Sequence, residues 1–181
     1  MITNNFRKIL TLIFSSTANG TYTPVIPTTN LPQFVNTGGT TTQMNNPEGY
    51  GNRQLSLYNM MNHMSKGIIS ESSIGTLHLK IGTGTTPPTV DDFELTELES
   101  RVSCDTVIVG NSANNTKTYT ATFSNPLNTD ITVAEVGLYG TIIYDSRVES
   151  FMEVLLDRTV LSTPITIPAG ESKAITYELG F

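Results

Sequence analysis

The chain has a single cysteine, Cys104, and no tryptophan. One thiol excludes an intrachain disulfide, and no CxxC pair is present to hold zinc. Cys104 lies in "RVSCDTVIV", which reads as a strand, so a buried and inert thiol is expected. Without tryptophan the usual stacking platform of a carbohydrate-binding face is missing, leaving Tyr119, Tyr139 and Tyr144 as substitutes. Charge is scarce as well: 14% of residues are Asp, Glu, Lys or Arg, against about 25% in ordinary soluble domains. The balance is acidic, with a net charge of −6. That balance gives no electrostatic footprint for nucleic acid or an anionic membrane, and neither is expected as a partner. No apolar run approaches the roughly 20 residues needed to cross a bilayer as a helix.

Thr, Asn, Ser and Gly fill the space that charge leaves, and they suit strands and turns better than solvated helices. The 181 residues are enough for one sizeable core, or for one domain with an added arm. Two parts are expected: residues 1–73 for attachment and oligomerisation, and residues 74–181 as a β domain.

Within the first part, Phe6, Ile9, Leu10 and Ile13 recur at i, i+3, i+4 and i+7, which predicts an amphipathic docking helix over residues 1–20. Arg7 and Lys8 before a short apolar run also loosely resemble a secretory signal. In a secreted adhesin, processing after Ala18 would follow. Residues 21–53 hold four prolines among repeated Thr, Gly and Asn, so an extended arm is expected, ordered only where it packs on something else. Residues 54–66 carry Leu57, Met60, Met61 and Met64 on one helical face, with Gly67 as a C-cap, which predicts a second short helix.

From residue 74 the apolar period changes to two. "IGTLHLKIG" alternates Leu77, Leu79 and Ile81 with polar residues, and "TKTYTATFSN" alternates threonine with Tyr119, Ala121 and Phe123. Further runs are "SRVSCDTVIVG", "DITVAEVGLYG", "TIIYDS", "FMEVLLDRTVL", "TPITIPAG" and "KAITYELGF", with turn signals at "GNSANN", "NPLNTD", "STP" and "IPAGES". Seven or eight short strands predict a mainly β fold, an antiparallel β-sandwich of jelly-roll or immunoglobulin-like type.

The stretch "GTGTTPPTVDDFEL" invites comparison with phosphate-binding loops, but the comparison fails. It has no third glycine, no Gly-Lys-Ser or Gly-Lys-Thr, and three acidic residues in its second half. A structural corner is expected. Gly82 and Gly84 would supply positive φ, Pro87 and Pro88 would stiffen an extended segment, and Thr89 with Asp92 would cap a short turn.

No HExxH or G-x-S-x-G is present, and His63 and His78 have no obvious ligand or nucleophile partners. The pairs Asp91/Asp92 and Glu97/Glu99 read as solvated turns rather than acid–base dyads. No catalytic residue, metal or cofactor is expected. Glu135 alternates with Ile131 and Val133, and Arg158 with Val154 and Leu156. Each charge therefore falls in an apolar register, where alone it would cost several kcal/mol. The two are expected to form a structural ion pair.

The order of "IGTGTTPPTVDDFEL", "ITVAEVGLYG" and "LLDRTVLSTPITIPAGESKAITYEL" resembles that in structural proteins of tailed bacteriophages. Those chains often run from a Gly-Thr-Gly-Thr-Pro-Pro loop, through Glu-Val-Gly-Leu, to an Arg-containing strand and an "IPAGES" turn. Thr86 is an extra residue before the two prolines. The resemblance covers roughly residues 74–180; residues 1–73 match only in layout. It implies a virion component, assembled in the bacterial cytoplasm and associated with a capsid, neck or tail, whose partners are other virion proteins and further copies of itself. Phe6, Ile13, Tyr22 and Phe34 are candidate apolar anchors for such contacts, or for packing within their own subunit. A receptor- or carbohydrate-binding module on a phage or bacterial surface appendage is the alternative.

Overall fold

In the computed structural model, residues 1–7, 33–43, 77–104, 108–111, 116–145 and 150–180 are described. They form nine strands: β1 (Gln33–Val35), β2 (Thr41–Gln43), β3 (Leu77–Gly82), β4 (Ser103–Cys104), β5 (Ile108–Asn111), β6 (Thr116–Ser124), β7 (Ile131–Asp145), β8 (Ser150–Ile167) and β9 (Ser172–Gly180). The protein is mainly β, and every strand pairing among the described residues is antiparallel.

The strands make a small β1–β2 hairpin, a sheet ordered β3-β7-β8, and a sheet in which β6 lies beside β4, β5 and β9. Period-two alternation does its expected work. Leu77, Leu79 and Ile81 of β3, Val136 and Leu138 of β7, and Val154 and Leu156 of β8 share one buried cluster with Tyr119, Ala121 and Phe123 of β6 and Ile175, Tyr177 and Leu179 of β9. At roughly 1.5–3 kcal/mol per buried large side chain, this cluster is the main stabilising term.

Two expected breaks do not end strands. β7 runs through Gly140–Thr141, and β8 runs through the "STP" signal at Ser162–Pro164. The register explains the second case. Val133 pairs with Ile165 and Glu135 with Val160, so Ala134 alone stands opposite residues 161–164. Pro164, which has no N–H to give, sits in that irregularity. The "IPAGES" turn forms as read: Gly170 has φ 72° and Glu171 N–H donates to Pro168 O at 3.1 Å. Gly170 thus occupies a site that a side chain would strain. Asn125 ties this end together by donating to Thr129 O, Ile167 O and Pro168 O.

Of the amphipathic helix expected over residues 1–20, only residues 1–7 are described, and residues 8–20, with Ile9 and Leu10, lie outside the described residues. Ile2 makes an antiparallel bridge to Asp157, and only residues 4–7 form a helical turn among the described residues. Thr3 caps that turn, accepting from Phe6 N–H while donating to Leu155 O. Phe6 and Phe34 are both fully buried and belong to the main cluster. Described parts of residues 1–73 therefore pack into the β body. The helix expected at residues 54–66, His63, Ile13 and Tyr22 lie outside the described residues. No helix among the described residues is long and apolar enough to cross a membrane.

Candidate functional site

Arg158 is 1% exposed, the bulkiest of the fully buried side chains among the described residues, and Glu135 is 0% exposed. Arg158 Nε donates to Glu135 Oε2 at 2.8 Å, and Nη2 lies 2.7 Å from the same oxygen. The two charges are together, but not on the face that alternation assigned to them. Leu138 pairs with Asp157 and Tyr139 with Leu155, so Leu156 is an extra residue in β8. This bulge shifts the phase of the strand, as the irregularity at Ala134 does in β7. Leu156 and Val133 stay in the main cluster, while Arg158 and Glu135 turn to the opposite face, beneath the loop of residues 83–98.

That loop supplies the remaining partners. Arg158 Nη1 donates to Asp92 Oδ2 at 2.8 Å, and Nη2 donates to Thr86 O at 2.9 Å and Thr96 Oγ1 at 2.6 Å. Glu135 accepts from the backbone N–H groups of Thr96 and Glu97 at 3.3 and 2.9 Å. The guanidinium uses its Nε and both Nη atoms on the protein's own groups, so it acts as a fastener between loop and sheet. Burial would raise the Asp92 pKa, but the Thr89 N–H and hydroxyl and the Arg158 guanidinium together hold it below the usual value. Burial would lower the Arg158 pKa, and Asp92 and Glu135 raise it instead. Thr89 and Asp92 cap a short turn as expected: Asp92 accepts from Thr89 N–H at 2.9 Å and from its hydroxyl at 2.7 Å.

The glycines of this loop have a role other than the expected one. Among the described residues Gly39 and Gly170 are the positive-φ glycines, so Gly82 and Gly84 do not turn the chain by a left-handed conformation. They make room. A Cβ on either would stand 2.6 Å from Glu135 Oε1, and on Gly84 also 2.8 Å from Thr96 Cβ. Backbone and carboxylate approach so closely that no side chain fits. Pro87 is exposed and Pro88 half-buried in the same loop.

Every second residue of "EVGLYG" serves this face. Glu135 takes Arg158, and Gly137 leaves space for Leu95, Leu155 and Tyr139. The Tyr139 hydroxyl accepts from Leu95 N–H at 3.0 Å. Burial pushes the Tyr139 hydroxyl pKa up. Beside it, His78 stacks on the Tyr139 ring at 5.8 Å and Lys80 Nζ lies 4.8 Å above that ring. Both bond Glu153, each at 2.5 Å. Burial would raise the Glu153 pKa, and these two partners lower it.

Residues 1–7 lie against the same region. Thr3 N–H donates to Leu156 O at 3.0 Å, and Asn4 N–H to Val90 O at 2.8 Å. Asn4 Nδ2 donates to Asp91 Oδ1 at 2.7 Å. Asn5 pairs with the backbone of Val35 as a neighbouring strand would, donating to its O at 2.7 Å and accepting from its N–H at 3.1 Å. Met1 N sits 2.9 Å from Asp157 Oδ1 as an ion pair rather than an aligned hydrogen bond. Tyr177 donates its hydroxyl to the other oxygen of Asp157; burial, and then the Asp157 charge, raise the tyrosine pKa.

Several expected residues read differently in three dimensions. Tyr119 and Tyr139 are 0% exposed and cannot offer a sugar-stacking face. Asp91 and Asp92 have separate partners, Asn4 and Arg158. Glu99 is buried, not solvated, and bonds Arg101 at 2.6 and 2.8 Å, while Glu97 is exposed. No group of three or more His, Cys, Asp or Glu suited to a metal occurs among the described residues. Sequence reasoning missed Asp92 as the second carboxylate on Arg158, the packing of residues 1–7, and the cluster around Glu153. All three depend on contacts between distant segments. Comparison with protein-family models, curated proteins and solved structures finds no match.

Proposed function

We propose that the chain is a non-enzymatic structural component of a tailed-bacteriophage particle, built from a β-sandwich body and attached through its N-terminal arm. In this reading the β3-β7-β8 and β6-β9 sheets are the two layers of a jelly-roll or immunoglobulin-like sandwich, with the shared cluster between them. Supporting the assignment is the resemblance carried by the Gly-Thr-Gly loop, "EVGLYG" and the Arg-containing strand.

The observation that carries it is the convergence of those three segments on one buried fastener. Gly82 and Gly84 cradle Glu135, and Glu135 holds Arg158. The residue types that define the pattern are spent on rigidity, which a repeated building block needs. The described ends of the arm, including Phe6 and Phe34, are spent on the core. Attachment is therefore assigned to residues 8–32, with Ile13 and Tyr22 as the anchors, acting through apolar burial.

The test is incorporation. Particles are assembled with the full chain or with residues 12–28 deleted, and the amount bound to purified particles is measured by quantitative mass spectrometry. The proposal expects the full chain in many copies per particle and a loss of at least tenfold for the deletion. Equal incorporation of the two would remove the arm as the attachment device.

A further inference from the structure

The edge strand of a sheet carries a row of peptide groups that a strand of another molecule can pair with. Among the described residues β8 pairs with β7 alone, so its other side is such an edge. Its 18 residues make it the longest of the described strands, and a long open edge invites copies to add. This edge is instead closed at successive points from Glu153 to Thr166.

The first part is covered by other segments. Thr37 N–H donates to Glu153 O at 3.3 Å, and Thr3 N–H to Leu156 O at 3.0 Å. Ile2 bridges Asp157, and Arg158 N–H donates to Met1 O at 3.2 Å. Residues 1–3 thus lie along the edge as a short outer strand would. Among the described residues, that cover ends at Arg158.

Past that point β8 breaks its own edge. Val160 pairs with Glu135 and Ile165 with Val133, so Leu161–Pro164 set four residues against Ala134. An ordinary bulge sets two against one. Leu161 and Ile165 stay packed on the main cluster, while Ser162, Thr163 and Pro164 are all exposed. The excess residues therefore add nothing to the core. Pro164 has no N–H to offer a partner strand. Further on, Lys173 Nζ donates to Thr166 O at 3.1 Å, which sets an ammonium against the backbone of the same strand. Irregular insertion, proline and lysine are each means by which sheets keep an edge unpaired.

We infer that residues 161–164, together with Lys173, are an edge guard that stops a strand of a second copy from adding to β8 where the cover by residues 1–3 ends. The guard acts on the chain's own sheet, so the inference stands apart from the assignment to a particle.

The experiment opens the edge and reads self-association. One full-length variant lacks Ser162 and Thr163 and carries Pro164→Val and Lys173→Thr. It leaves an ordinary bulge and keeps Leu161 and Ile165 on one face. A second variant carries Pro164→Val and Lys173→Thr alone, with the chain length unchanged. Both are compared with the parent chain by sedimentation velocity over a hundredfold range of concentration, with folding checked by urea unfolding. Self-association is expected to strengthen at least tenfold in the first variant and at least threefold in the second. Adding Thr166→Lys, which returns a charge to the edge, is expected to bring both back to the parent level. Should the deletion unfold the chain, the second variant decides. A folded second variant that associates no more than the parent would overturn the inference. Association that persists after Thr166→Lys would overturn it too, because it would run through another surface.

Discussion

At the residue scale, the molecule is organised around the charges it buries. Glu135 and Arg158 are each fully enclosed; removing Arg158 leaves Glu135 a buried carboxylate without a counter-charge, a loss of about 3–5 kcal/mol, whereas removing Glu135 leaves Arg158 still paired with Asp92 and costs less. Glu135→Gln, Arg158→Met and the double variant, compared by urea unfolding, are expected to be non-additive, the double losing less than the sum of the singles. Additive losses would contradict direct coupling. Gly84→Ala tests the cradle without touching a charge: the new Cβ has no room beside Glu135 and Thr96, and a loss of about 1–3 kcal/mol is expected. Gly38→Ala is the control, with only an ordinary contact at 3.4 Å and an expected change within about 0.5 kcal/mol. The carboxylates set the acid limit. The Asp92 and Glu153 pKa values are lowered in the folded protein from 3.8 and 4.5, so their stabilisation is fully present above those values. It is lost as pH falls through the lower, folded values. Asp92→Asn should therefore flatten the fall in melting temperature between about pH 4.5 and 2.5. An unchanged slope would show that Asp92 does not contribute.

At the scale of elements, the strands were legible and their phase was not. Leu77, Leu79 and Ile81 alternate without interruption, and β3 follows them. Pairing of Glu135 with Arg158 was readable because both sit in apolar runs, but the face was misread for both. One extra residue at Leu156 and an unequal register at Ala134 turn both side chains over together, and a bulge leaves no mark in an apolar sequence. Gly82 and Gly84 were legible as special positions, yet their reason is the Glu135 carboxylate, some fifty residues away, and local sequence holds no trace of it. The same holds for the N-terminus. Helical spacing from Phe6 to Ile13 suggested a docking helix; among the described residues, Phe6 lies in the helical segment of residues 4–7 that Thr3 caps, and its side chain plugs the body instead of facing a partner. Cleavage after Ala18 would strip Phe6 and Thr3 from the fold. A chain of residues 19–181 should therefore unfold at lower urea, by about 3–5 kcal/mol for the aromatic plug alone. Undiminished stability would argue that residues 1–7 are dispensable and would favour the secreted reading.

On the scale of the whole molecule, two antiparallel sheets share a core, and a loop is bolted to the outer face of one of them through Arg158. Mainly β architecture was legible from composition and period two. What the body attaches to is a proposal that rests on resemblance, because assembly surfaces have no fixed residue chemistry to read. A rigid body with an N-terminal segment anchored at residues 1–7 and again at β1 suits repetition around a symmetric particle. The most direct test is a reconstruction of purified particles at a resolution that separates strands. The account predicts this chain in multiple symmetry-related copies, its sheets placed around a head, neck or tail axis. Particles that lack the chain, while it remains free in the lysate, would contradict it.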